Sequence, residues 1–182
     1  FVAVDPATLT PQPAVGDAVS LVVTTMTTRA WMRVAGDITD FAVLSSGHDP
    51  TILSQEVSAA TDLVSALDDR EVELIQVTGT VAGTFHAAGL GHQSARFETA
   101  AITGDTLLQI RIPDSVLPAV GLDQGCEVQI SHTPLWRYED RAQVSIWATS
   151  DASLISCPAP VVLSAEALDA STVLVTINRA VD

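Results

Sequence analysis

Val72-Glu73-Leu74-Ile75-Gln76-Val77-Thr78-Gly79-Thr80-Val81 decides the fold class of this chain. Apolar and polar residues alternate here with a period near two, the spacing of a half-buried strand. The pattern extends back to Glu71, so residues 71–81 read as one long strand with a bend at Gly79. β-branched residues dominate most of the remaining segments in the same way, and the class expected is all-β.

Outward from that strand, residues 83–91 form a glycine- and alanine-rich turn region, followed by strands at 95–98 and 107–112. Residues 114–121 predict one or two helical turns, with Asp114 as cap and Gly121 as stop. Residues 126–130 and 143–147 predict a hairpin whose connection runs from Pro134 to Asp140. On the other side, residues 19–24 are a strand that returns through 31–34, Ile38 and 41–44. A short helix is expected over 59–67, where Ala60, Leu63, Val64 and Leu67 share one face. Asp68 and Asp69 would then close it with the wrong sign for a helix C-terminus. Phe1 to Pro6 read as the end of a strand, so the chain is expected to be a trimmed piece of something longer.

The chain has 182 residues, enough for one good core or two small ones, and 47% of them are apolar. It carries 22 acidic side chains against 8 basic ones, and all the basic ones are Arg. A net charge of −14 repels a dense phosphate backbone, so duplex nucleic acid is not an expected partner. No run of 18 apolar residues exists, so no membrane-spanning helix is expected. Cys126 and Cys157 border β segments, and a disulfide between them is expected. Loop closure of that size would contribute roughly 3–4 kcal/mol. The alternative is two buried thiols.

Gly16-x-x-Val19-x-Leu21 is echoed by Gly125-x-x-Val128-x-Ile130. Each is followed by an aromatic and arginine-bearing stretch, and each then by a returning strand. Either an OB-like unit is present twice, with the first copy lacking its beginning, or two β-hairpins merely look alike. Cys157-Pro158-Ala159-Pro160 is a linker signal, and residues 161–182 read as strand, turn and strand.

Four stretches carry a resemblance: Gly-Asp-Ala-Val-Ser-Leu (16–21), Asp-Phe-Ala-Val-Leu-Ser-Ser-Gly (40–47), Val-Glu-Leu-Ile-Gln-Val-Thr-Gly-Thr-Val (72–81) and Gly-Cys-Glu-Val-Gln-Ile (125–130). With them, residues 16–160 resemble the OB-like modules of large secreted bacterial surface proteins. Such modules also occur beside extracellular nucleases and lamin-tail-type domains. Residues 161–182 are similar to the opening hairpin of a bacterial Ig-like surface domain. The resemblance implies an OB-like Greek-key barrel with one or two short helices, plus a C-terminal Ig-like β-hairpin. The expected boundaries are a remnant unit over 1–50, a barrel over 51–157, a linker over 158–160 and an incomplete hairpin over 161–182. An extracellular or cell-surface location follows from the same likeness, which supplies no catalytic residues.

No chemistry-bearing cluster forms an enzyme motif. Ser45, Ser46, His48 and Asp49 lie in one short loop, whereas a Ser-His-Asp site gathers its members from distant segments. His86, His92 and His132 lack zinc-like spacing. Gly89-x-Gly91 lacks the third glycine of a dinucleotide loop. The loop expected at Gly36 to Asp40 could hold Ca²⁺, but without the ligand run of an EF-hand. Glu71 and Glu73 share one strand face, which is the ordinary solvated face of an amphipathic strand.

The aromatic–arginine tips are the candidate contact residues: Arg29, Trp31 and Arg33 in one, and Trp136, Arg137, Tyr138 and Arg141 in the other. They can cap the core, contact a neighbouring domain or another copy of the chain, or stack on a sugar or base. The leading expectation is a non-catalytic structural or interaction module, able to self-assemble. The alternative is an OB-fold domain that binds a glycan or single-stranded nucleic acid beside a secreted nuclease or glycan-active enzyme.

Overall fold

The computed structural model describes Val2 and residues 4–177. The strands are β1 (Ala18–Arg29), β2 (Met32–Ser45), β3 (Gln55–Glu56), β4 (Leu74–Val81), β5 (His86–Ala87), β6 (His92–Thr99), β7 (Leu108–Pro113), β8 (Glu127–Tyr138), β9 (Arg141–Ser145), β10 (Ala152–Ser156), β11 (Val162–Ala167) and β12 (Val173–Ile177). Two single-turn helices, α1 (Leu67–Arg70) and α2 (Leu117–Val120), lie among them.

Five strands close a barrel. β4 pairs antiparallel with β6, and β6 with β7. β7 pairs parallel with β9, β9 antiparallel with β8, and β8 antiparallel with β4. In order of appearance the ring runs first, second, third, fifth, fourth and back to the first, and α2 lies between the third and fourth. This is the closed Greek-key barrel of an OB-like fold.

The alternation of β4 sets the core: Ile75, Val77 and Val81 are fully buried. Inward positions of the other strands complete it, including Phe97, Leu108, Ile110, Ile112, Val128, Ile130, Leu135 and Val144. Gly79 makes room for Phe97: a Cβ there would meet the Phe97 ring at 2.6 Å and collide with the Glu98 carbonyl. β8 serves three neighbours, pairing with β10 over residues 127–130, with β4 through Pro134 and with β9 from Leu135. His132, at φ 59, is the extra residue of a bulge inside the β4–β8 pairing, between Ser131 opposite Gln76 and Thr133 opposite Ile75, and it bends the strand. Cys126 and Cys157 form the disulfide, tying the start of β8 to the end of β10.

β1 and β2 form a separate long hairpin, and β11 and β12 another. Near the tip of the first, Met32, Val34 and Ala35 are buried, while Val19, Val22, Val23 and Leu44 nearer its open end are exposed.

Several local expectations are corrected. The helix at 59–67 is instead a run of turns leading into the single turn α1. The cause is side-chain competition for the backbone. Ser58 accepts the Thr78 amide at 2.7 Å and donates to Glu56, and the Val57 amide bonds the Gln76 carbonyl, so the segment is stitched to β4. Leu63 and Leu67 still face the core. Asp68 and Asp69 begin α1 rather than end a helix, which is the favourable sign. Glu71 and Glu73 precede β4 and share no strand face. α2 starts after Val116 with no side-chain cap, and Asp114 instead accepts from Gln93 at 2.8 Å. Gly121, at φ 70, ends it as expected. Gly36 to Asp40 lie inside β2, not in a loop. Of the strand end expected at 1–6, Phe1 and Ala3 lie outside the described residues, Val2 bridges Ala35, and Pro6 opens a 3-10 turn. Residues 178–182 of the terminal hairpin also lie outside them.

Candidate functional site

Because the inward residues of β6, β7 and β9 are apolar, their alternate residues stand together on the outer wall. Register places Ser94 opposite Arg111, Gln109 opposite Gln143, and Gln143 opposite Trp136. Over this polar floor lies a cleft of about 530 Å³. One wall is the β5 segment and the loop after it, with His86, Ala88 and Leu90. The other is the tip of the β1–β2 hairpin, with Arg29, Ala30 and Met32. Trp136, Arg137, Tyr138 and Arg141 close the end formed by the β8–β9 turn.

The floor is held in place. Ser94 donates its hydroxyl proton between the Gln109 side chain (3.1 Å) and the Ile110 carbonyl (3.0 Å). Trp147 meets Trp136 edge-on at 6.2 Å and His92 edge-on at 5.9 Å. Its backbone is fixed by Asp151, whose carboxylate accepts the Trp147 and Ala148 amides, both at 2.9 Å. Trp147 still exposes 43% of its surface, so an aromatic surface is on offer to a ligand. His92 Nδ1 lies 2.8 Å from the Leu90 carbonyl, which can only accept, so Nδ1 carries the proton. Nε2 is buried without a hydrogen-bond partner among the described residues.

Charge is distributed unevenly. Arg70 pairs with Asp62 and Glu73, Arg96 with Glu98, and Arg137 with Asp68 and Glu71. Arg137 also donates to the Glu139 carbonyl at 2.8 Å. Its hydrogen bond to Asp68 is the main cause that holds the Asp68 carboxyl below the usual range. By contrast, Arg29, Arg111 and Arg141 form no ion pair among the described residues, and all three line the cleft. Burial draws the Arg111 guanidinium below its ordinary value, yet a guanidinium remains cationic in proteins. Among the described residues no carboxylate lines the cleft. Guanidinium groups without a counter-ion can take a carboxylate, sulfate or phosphate through paired N–H donors.

The contact residues expected from sequence therefore divide. Trp136, Arg137, Tyr138 and Arg141 come together with Arg29 at the cleft. Trp136 to Tyr138 lie within β8, and Arg141 opens β9, so the wide connection expected at 134–140 shrinks to Glu139 and Asp140. Trp31 is 58% exposed at the hairpin tip and is not in the cleft lining. Arg33 lies outside the lining too, near Asp68, with its amide 3.4 Å from Glu71. Arg111, Gln109, Gln143, His92 and Trp147 were not singled out as ligand contacts. Their signal was the outward half of each strand's alternation.

Ser45 Oγ and His48 Nε2 are 2.6 Å apart, exposed at the open end of the first hairpin. Asp49 is engaged by Thr51 through its amide (2.9 Å) and hydroxyl (2.7 Å). No helix among the described residues is long and apolar enough to cross a membrane. No protein-family model matches the chain, and neither a curated protein nor a solved structure matches it.

Proposed function

We propose that this chain is a non-catalytic, ligand-binding OB-like module of an extracellular or cell-surface protein, and that its cleft takes an anionic glycan. One observation carries this reading. In a chain of net charge −14, three arginines that pair with no carboxylate among the described residues line one cleft, and no described carboxylate lines it with them. The position agrees with the fold, because OB barrels bind ligands on this strand face and its bordering loops. Trp136 and Trp147 supply apolar surface for a sugar ring, and Gln109 and Gln143 supply hydroxyl partners. A glycan is favoured over single-stranded nucleic acid because it need not carry a charge on every unit. A phosphate at each nucleotide would meet the repulsion of the whole acidic surface. The disulfide is compatible with an oxidising setting.

The test is calorimetric titration with a sulfated disaccharide and with its unsulfated parent. The sulfated sugar is expected to bind, and Arg111→Gln and Arg141→Gln should each weaken it about tenfold or more, as expected for losing a charge-assisted contact. Equal affinity for both sugars, or none for either, would overturn the reading.

A structural role is supported by a separate observation. Among the described residues β11 and β12 pair only with each other, and Val162, Leu163, Leu174 and Val175 are all exposed. A lone hairpin is marginal in water, so association with another copy or a neighbouring domain would stabilise it. Light scattering should then show association that is lost when residues 161–182 are deleted.

A further inference from the structure

Resting on the anionic-glycan reading, we infer that the cleft binds the charged terminal residue of a glycan chain and excludes the chain's interior. The barrel face alone would be an open trough along β6, β7 and β9, through which a polymer could run. The hairpin tip closes one side. The Ala30 carbonyl accepts the Glu139 amide at 2.8 Å, so the tip is bonded to the β8–β9 turn. Met32, immediately behind it, is only 2% exposed, and the Arg33 amide reaches Glu71. Arg29, Ala30 and Met32 therefore form a seated wall.

The facing side is closed as well. β5 pairs with β6 at His86↔Ser94 and Ala87↔Gln93. The loop after it is bonded back from the Ala88 amide to the His92 carbonyl (2.8 Å) and from the His92 amide to the Gly89 carbonyl (3.1 Å). Between these walls, about 530 Å³ is the space of a drug-sized ligand, which corresponds to one or two sugar rings. The three uncompensated guanidinium groups come from three different elements, β1, β7 and β9. They can surround a terminal oxyanion from several sides.

The experiment is a length series: sulfated oligosaccharides of two, eight and twenty residues, bound to the intact chain, with stoichiometry read by calorimetry. One protein per oligosaccharide at every length is the expected result. Capping the charged terminal residue with a neutral sugar should lower affinity at least tenfold. Protein bound in proportion to chain length, or indifference to the cap, overturns this inference while leaving the anionic-glycan reading intact. Failure to bind any member overturns that reading and this inference together. Tighter binding to an oligothymidylate of matched length overturns the glycan class.

Discussion

The Glu139 amide donates a 2.8 Å hydrogen bond to the Ala30 carbonyl, joining the tip of the β1–β2 hairpin to the turn between β8 and β9. Both turns are left-handed at the junction: Ala30 has φ 47, Trp31 φ 69 and Glu139 φ 56. Two successive positive φ values match the twist of a two-residue hairpin connection, but glycine or asparagine holds them at less cost than alanine or tryptophan.

Ala30→Gly is therefore expected to stabilise the protein slightly, by up to about 1 kcal/mol, since the strain relieved exceeds the added chain entropy. Anion affinity should change less than twofold. Chemical denaturation measures the first quantity and calorimetry the second. A clear destabilisation would mean that the tip does not sit in this conformation.

Arg137 holds a second junction. It bonds Asp68 of α1, Glu71 beyond α1 and the Glu139 carbonyl beyond β8. Its side chain is 13% exposed and that of Glu71 10%, so Arg137→Met strands a nearly buried carboxylate. The expected loss is about 1.5–3 kcal/mol, the usual worth of a hydrogen bond to a charged group. Arg70→Met, at a more exposed pair of carboxylates, should cost less.

The same contact sets a pH dependence. Arg137, first by its hydrogen bond and then by its charge, holds the folded Asp68 carboxyl below its usual value. A carboxyl lowered in the folded state stabilises it above the unfolded value, near 3.9 for Asp, and loses that contribution as pH falls through the folded value. Asp17, Asp49 and Asp169 are lowered as well, by hydrogen bonds from Ser46, Thr51 and Ser171 respectively. Melting temperature should therefore fall as pH drops below about 4. The fall should be shallower in Arg137→Met, which removes the Asp68 share and leaves those of Asp17, Asp49 and Asp169 in place. Parallel curves for the two proteins would show that Asp68 contributes nothing.

Inside the barrel, Gly79→Ala is expected to be damaging, because its Cβ would enter the space of the Phe97 ring and the Glu98 carbonyl. Overpacking of this kind costs about 1–3 kcal/mol. Replacing Cys126 and Cys157 by Ala opens a link across a sequence separation of 31 residues. The loop model puts that loss at about 3–4 kcal/mol. Both variants lie away from the cleft lining, so anion binding should survive wherever the protein remains folded.

How much of this was legible in the sequence depended on whether a feature was local. The alternation around Ile75 and Val77 announced a strand, and Leu108, Ile110 and Ile112 announced another. Nothing local announced that β7 would lie parallel to β9, and this pairing is what carries Arg111 and Gln109 to the same floor as Gln143. The aromatic–arginine stretches did contain residues that line the cleft, Arg29, Trp136 and Arg141 among them. Trp31 shared the composition of its neighbours but sits at the tip and outside the cleft lining, a difference set by the geometry of a two-residue turn. The helix expected at 59–67 had the correct buried face in Leu63 and Leu67. Its backbone was diverted by Ser58 and Val57 bonding to β4, contacts made with a strand well downstream.

The central claim is that Arg29, Arg111 and Arg141 together receive an oxyanion. Arginine Nε–H resonances, followed by NMR while a sulfated disaccharide is added, test it most directly, because the chain contains its own controls. Arg29, Arg111 and Arg141 should shift together and saturate with one ligand per chain. Arg70 and Arg96, already paired with carboxylates, should stay still. Resonances that all move alike, or cleft arginines that do not move at all, would contradict the account.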